Sequence, residues 1–437
     1  FIFSEDFTKY DKKQLLKENA DIEFLVYTDT EFSTYHMTFT GLPVIDISSQ
    51  GAIVNQQKEI AGHAVFYDTN FSSQGIVSST YNGHVRGNMS TLFPKKGYKL
   101  NLTRQKADGT VENNKLALFG MREDDDWILS ALYNDESKLR EALCIEMWDE
   151  LGSKAIYTNS TYNTSQTFVE LIVDESYYGL YALKEPIDAK QLNLAEGDYS
   201  YKRKNPGGLV YQYNNFVQSP GTAEEVEGFA LKDGLLTDDA WIPMANLAAF
   251  ITRIAEEDSF TEQDIINEES AIRMWLFMQL ITGHDHTAKN IFYVAKYDFA
   301  FAHNYQFYFA PWDMDLTWGN VSVGEENPYY TEFEMDTYND RVGWDTVDWM
   351  IDQDFNGARR KAEKLYTELR ETVLTDGAIE EMIHTLDNRI RNSGAFERDK
   401  ARWPEGIHAD DCDTLIEYAQ KRLNFLDQAI YDFSYFE

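Results

Sequence analysis

The sequence predicts an α+β protein of bilobal form, with a β-rich N-terminal lobe over residues 1–188 and a mainly helical C-terminal lobe over 189–437 that carries one inserted β-hairpin. Three observations predict it. Strand-like segments and turns fill the first 120 residues, helix-period apolar patterns dominate beyond residue 240, and two strand-like runs, Ile291 to Ala295 and Tyr305 to Ala310, interrupt the helices.

Taken in order, Ile22 to Tyr27 and Ala64 to Tyr67 are short apolar runs, and Tyr98-Lys99-Leu100-Asn101-Leu102 alternates with the period of two of a half-buried strand. After Asn134-Asp135-Glu136-Ser137 a helix begins, with Leu139, Leu143, Met147 and Leu151 recurring every fourth residue up to Gly152. Strands from Thr167 to Val173 and Gly179 to Lys184 flank the turn at Asp174-Glu175-Ser176-Tyr177. From Ala189 to Asp238 the chain is rich in Gly, Asn, Lys and Tyr and reads as irregular connection with short strands. Helical patterns follow from Ala240 to Glu257 and Glu262 to Thr282, and again through most of the chain after Trp344.

Composition narrows the function. At 437 residues with 43% apolar content the chain can bury more than one domain-sized core. Its formal net charge of −35 argues against nucleic acid or an anionic membrane as partner, since both reward a positive footprint. Cys144 and Cys412 are the only cysteines, which makes neither a disulfide framework nor a zinc motif. No apolar run is long enough for a transmembrane helix, and the start at Phe1 without Met is expected to follow a removed upstream segment, such as a secretory signal.

The chemistry concentrates between Gly283 and Gly319. Asp285 follows a long apolar helix, Asn290 opens the next strand, and Asp313 and Asp315 follow the second strand in Pro311-Trp312-Asp313-Met314-Asp315. A lone Asp and Asn in a turn are usually backbone caps. Here the turn and the hairpin end can converge on one cation, and two carboxylates on one extended face are costly without a counter-charge. Protein kinases order a base and two magnesium ligands in this way, because phosphoryl transfer needs positioning and hard oxygen ligands more than covalent help. A second cluster is Arg86-Gly87-Asn88-Met89-Ser90 followed by Lys95, Lys96 and Lys99, a basic island and candidate phosphate site in an acidic chain. Arg140 has two readings, an anion-orienting group or a surface ion pair, and Glu185 ends a strand where a nucleotide-binding hinge would fall.

Together these segments resemble the CotH kinase family, the spore-coat-protein-H-like atypical protein kinases. The resemblance runs through Arg86 to Ser90, Phe93 to Tyr98, Trp127 to Leu129, Asp135 to Arg140, Tyr178 to Tyr181 with Glu185, Asp285 to Asn290, and Pro311 to Asp315 with Gly319. It implies a bilobal kinase-like fold and transfer of phosphate from ATP, with Mg2+ or Mn2+, to a Ser or Thr of a protein acceptor at an extracellular, cell-surface or spore-surface location. By the same resemblance Asp285 matches the catalytic Asp, Asn290 and Asp313 the metal ligands, Asp315 an alternative ligand, and one of Lys95, Lys96 and Lys99 the phosphate-contacting Lys. The chain departs from ordinary protein kinases in lacking His-Arg-Asp, Gly-x-Gly-x-x-Gly and Val-Ala-Ile-Lys, and Gly97 stands where the family commonly has Ser or Pro. The rival expectations are a non-catalytic module of the same family, used for binding or assembly in an extracellular complex, and a carbohydrate-active protein suggested by nine Trp and 27 Tyr, for which no facing carboxylate pair is evident.

Overall fold

Seven strands close into a barrel. In a computed structural model, which describes residues 2–4, 6–11, 15, 21–28, 30–49, 59–68, 75–87, 89–153, 164–204, 213–219, 222–254, 265–300, 304–322 and 331–436, the closing strand is Asp126–Ser130. It pairs antiparallel with Gly97–Gln105 on one side and Ser176–Lys184 on the other. Between those two the circuit runs through Gln166–Val173, Val44–Ser49, Ile60–Tyr67 and Ile76–Arg86. Every pairing is antiparallel except that of Gln166–Val173 with Val44–Ser49. Alternation supplies the interior: Tyr98, Leu100 and Leu102 point in with Ile45, Phe66 and Trp127, while Lys99 points out.

A second, five-stranded sheet lies in the order Glu225–Val226, Phe229–Asp233, Tyr199–Arg203, Ile291–Tyr297 and Tyr305–Pro311. Its two faces have different partners. Tyr201, Tyr293, Phe307 and Phe309 enter the main core, which contains helices Arg140–Ser153, Glu268–Ile281, Ala358–Arg370, Asp376–Arg391 and Asp413–Ala429. Phe292, Val294 and Ala310 face the other way, toward Ile128 of the barrel, Ile187, Leu192 and Trp312.

The bilobal kinase-like arrangement expected from the sequence, a β-rich lobe followed by a mainly helical one, is therefore corrected. The chain forms a closed barrel, several further sheets and, among the described residues, nine α-helices. The physical reason is visible in strand Ser176–Lys184. Tyr181 and Leu183 fill the barrel while Leu180 and Ala182 pack into the main core with the helices. A strand buried on both faces reads as a continuous apolar run and wraps into the body of the protein.

Local sequence rules place the helices well. Helix Glu268–Ile281 starts where the Asn267 side chain accepts the Ser270 N–H at 2.9 Å and stops where Thr282 turns left-handed at φ 49°. Cys144 and Cys412 are both buried and free. Among the described residues no helix is long and apolar enough to cross a membrane.

Candidate functional site

The end of that helix delivers the first group. After Gly283 the short turn His284–His286 carries Asp285, and the chain re-enters the second sheet at Asn290. Because Ile291 pairs with Pro311, the residues just beyond each strand end meet. The Asn290 carbonyl accepts the Trp312 N–H at 2.9 Å, and the Asn290 N–H donates to the Arg203 carbonyl at 3.1 Å. Asn290 and Asp313 both hold left-handed backbone, at φ 62° and 61°, a conformation Asn and Asp tolerate better than most residues. The buried His286 locks the two loops together, its Nε2–H donating to the Trp312 carbonyl at 3.0 Å. Burial pushes the His286 pKa down, against Asp285 and the Trp312 bond, which favour the charged ring.

Asp285 is anchored on both oxygens: Asn290 Nδ2 donates to Oδ2 at 2.7 Å and Lys289 Nζ lies 2.7 Å from Oδ1. The two carboxylates of the next loop differ. Asp315 Oδ2 accepts from Asn134 Nδ2 at 2.7 Å, and burial together with neighbouring Asp313 pushes its carboxyl up to about 8. Burial also pushes Asp313 up, but Lys184, Lys202 and Arg86 outweigh it and hold this carboxyl below the usual range. Asp285, Asp313 and Asp315 face Arg86, Gly87 and Ser90 of the barrel across a cleft of about 280 Å³. Gly87 sits at φ 113°, where a Cβ would fall 1.9 Å from Ser90 Oγ, so only glycine fits this turn at the cleft wall.

Of the other residues singled out in the sequence, Arg86 lies at the site, with its guanidinium 5.8 Å from the Trp312 ring centre. Lys95, Lys96 and Glu185 lie elsewhere, while Lys99, level with Ile128 and Lys184 across the barrel strands, is on the face toward the second sheet. Lys95 is buried, donating to Asp399 Oδ1 and the Leu180 carbonyl, both at 2.6 Å. Lys96 caps the carbonyls of Thr91 and Phe93, and Lys99 pairs with Asp126 at 3.3 Å. Glu185 is buried, accepting the Arg122 N–H at 2.8 Å and Gln191 Nε2 at 2.7 Å. Arg140 is a buried ion pair with Asp135 whose Nε also donates to the Thr317 carbonyl at 3.1 Å, bracing the loop that follows Asp315.

Two residues at the site were missed. Lys184, at the end of a barrel strand, is ion-paired with Glu141 of helix Arg140–Ser153 and stands 4.0 Å from the Trp312 ring centre. Lys202, in strand Tyr199–Arg203, lies 5.6 Å from the same ring, and burial pushes its pKa down to about 8. The signal available was a lysine inside an otherwise apolar or aromatic strand, as in Leu180-Tyr181-Ala182-Leu183-Lys184 and Tyr199-Ser200-Tyr201-Lys202. Three cations around one indole, against the carboxylates of Asp313 and Glu141, make a local basic island in a chain of net charge −35.

The donor set fits a hard divalent cation that keeps water and phosphate as its other ligands. Among the described residues, no group of three or more His, Cys, Asp or Glu side chains could hold a metal by itself. Magnesium does not require such a cage, because one or two protein oxygens plus substrate phosphates complete its shell. No hydrogen bond or ion pair of the Asp313 carboxylate or of Asn290 Oδ1 is recorded among the described residues, leaving both free as oxygen donors. Residues 84–426 match the family model described as CotH kinase protein, while no curated protein matches the chain. With that match over most of its length and the Asp285, Asn290 and Asp313 positions gathered at one site, the chain belongs to the CotH kinase protein family.

Proposed function

We propose that the chain transfers the γ-phosphoryl group of ATP, with Mg2+ or Mn2+, to a Ser or Thr hydroxyl of a protein acceptor in an extracellular, cell-surface or spore-surface setting. The observation that carries this reading is the meeting of Asp285, Asn290 and Asp313 beside Arg86, Lys184 and Lys202. The metal, when bound, supplies charge neutralisation on the phosphate oxygens, and Asp313 with Asn290 would hold it. Asp285 orients the acceptor hydroxyl and takes its proton as the hydroxyl oxygen bonds to the γ-phosphorus. The bond from that phosphorus to the bridging oxygen breaks, and ADP leaves with the electron pair.

Magnitudes favour anion binding despite the acidic surface. Free charges on the surface are screened beyond about 8 Å at physiological ionic strength. The three cations lie within 5.8 Å of the Trp312 ring and act locally. Lys184 is positioned by its Glu141 partner, an arrangement of the kind that kinases use to hold a phosphate-binding lysine.

The test is transfer of radiolabel from ATP to a Ser/Thr-containing acceptor protein with Mg2+, by the full chain and by Asp313→Ala. Asp313→Ala should lose metal-dependent nucleotide binding, because it removes an oxygen ligand; it should also lower the unfolding midpoint, because it withdraws the carboxylate beside Lys184, Lys202 and Arg86 and puts Ala at a left-handed position, so binding is measured where the variant is folded. Metal-dependent binding that survives would move the ligand role to another acid.

A further inference from the structure

The cations around Trp312 come from two different sheets. Arg86 ends barrel strand Ile76–Arg86 and Lys184 ends barrel strand Ser176–Lys184, but Lys202 belongs to the second sheet. We propose that Lys202 is a phosphate ligand that grips the polyphosphate chain of a nucleoside triphosphate together with Arg86 and Lys184, so that the grip spans barrel and second sheet. This inference rests on the phosphoryl-transfer reading and names a binding residue within it.

The neighbours of Lys202 set it apart. Arg203 forms a two-pronged pair with Asp345 at 2.8 and 3.0 Å, and Lys204 pairs with Glu225 at 2.5 Å. No hydrogen bond or ion pair of Lys202 is recorded among the described residues; its ammonium meets the ring faces of Phe292 at 6.0 Å and Trp312 at 5.6 Å. In a chain with 74 acidic residues a counter-ion would be easy to supply, yet the charges that act most on Lys202 are those of Asp313, Arg86, Lys232 and Lys184, three of them cations. A cation held out of water among other cations is costly until an anion arrives. Ring faces offset part of that cost without consuming the N–H donors, which stay available. Glu141 already pairs with Lys184, and Asp313 cannot serve Arg86, Lys202 and a metal as well. A polyphosphate can, because it presents several anionic oxygens along one chain.

The strand also fixes the aim. Lys202 pairs in register with Phe292 and Ala230, and Phe292 in turn with Ala310, two residues before Trp312. Phe292 and Ala310 lie on the sheet face that packs against the barrel, the face on which Lys202 makes its two ring contacts.

The experiment compares equilibrium binding of Mg·ATP and of adenosine by the full chain, Lys202→Met and Lys202→Arg. Lys202→Met should weaken ATP by about tenfold or more, the usual loss for a hydrogen bond to a charged group, leave adenosine unchanged, and be largely rescued by arginine. ATP affinity within about twofold of wild type in Lys202→Met, or equal loss of ATP and adenosine, would overturn the assignment. A wild-type chain that binds adenosine no worse than ATP would overturn the phosphoryl-transfer reading and this inference together. Normal wild-type ATP binding with an indifferent Lys202→Met overturns the inference alone.

Discussion

Two sets of cations in this protein look alike in kind and differ in employment. Lys95, Lys96 and Lys99 crowd one turn and the start of one strand, and each is satisfied by the protein: Asp399 and a carbonyl, two carbonyls, and Asp126. Arg86, Lys184 and Lys202 sit in three different strands and converge on Trp312 and Asp313. The difference teaches that density of charge along a sequence does not make an anion site. Cations are available to a ligand when the fold gathers them from separate strands around one site, even where one of them, Lys184, keeps a carboxylate partner in Glu141.

The first way to break this comparison is Lys95→Met. Asp399 also packs against Gly179, where a Cβ would lie 2.3 Å from its Oδ1, and its pKa is held far below the usual carboxylate range against the opposing effect of burial, chiefly by Lys95. Removing one partner of such a buried pair costs about 3–5 kcal/mol, so Lys95→Met should show a large loss in chemical denaturation. ATP affinity of the still-folded fraction should not change. A selective loss of ATP affinity in folded protein would return Lys95 to the phosphate grip.

The acids divide as the cations do, which gives a smaller effect to measure. Asp313 is kept ionised by the three cations, while burial and Asp313 itself push Asp315 up to about 8. Between about pH 4 and pH 8 the unfolded chain ionises at Asp315 while the folded chain keeps its proton. The folded state then binds more protons, and stability falls as pH rises through that window. Asp315→Asn removes the dependence and can still accept from Asn134. Its melting temperature relative to wild type should therefore climb from pH 4 to pH 8, and a constant difference would show that Asp315 ionises normally.

The same contrast explains what could be read in the sequence. Asp285, Asn290, Asp313 and Asp315 were legible because they flank one hairpin, so local pairing of Ile291 with Pro311 is enough to bring them together. The body and the end of helix Glu268–Ile281 were legible from the apolar period and Gly283, but its start was not, because the helical pattern reads from Glu262 whereas the Asn267 cap sets the start at Glu268. Barrel closure was not, because it depends on Asp126–Ser130 pairing with strands on both sides, one of them more than fifty residues downstream in sequence. Lys184 and Lys202 were missed for the same reason. Each is a single lysine in a strand, and only long-range packing shows that both face Trp312. Lys95 misled because its partner, Asp399, lies at the far end of the chain.

The central claim is that Asp285 serves chemistry while the cations and Asp313 serve binding. The direct measurement sets ATP affinity beside the rate of radiolabel transfer to protein, at matched Mg2+, for wild type and Asp285→Asn. The account predicts that affinity stays within about twofold while the transfer rate falls by a factor on the order of 100 or more. Equal transfer rates in the two proteins would contradict it and leave Asp285 as a turn cap held by Asn290 and Lys289.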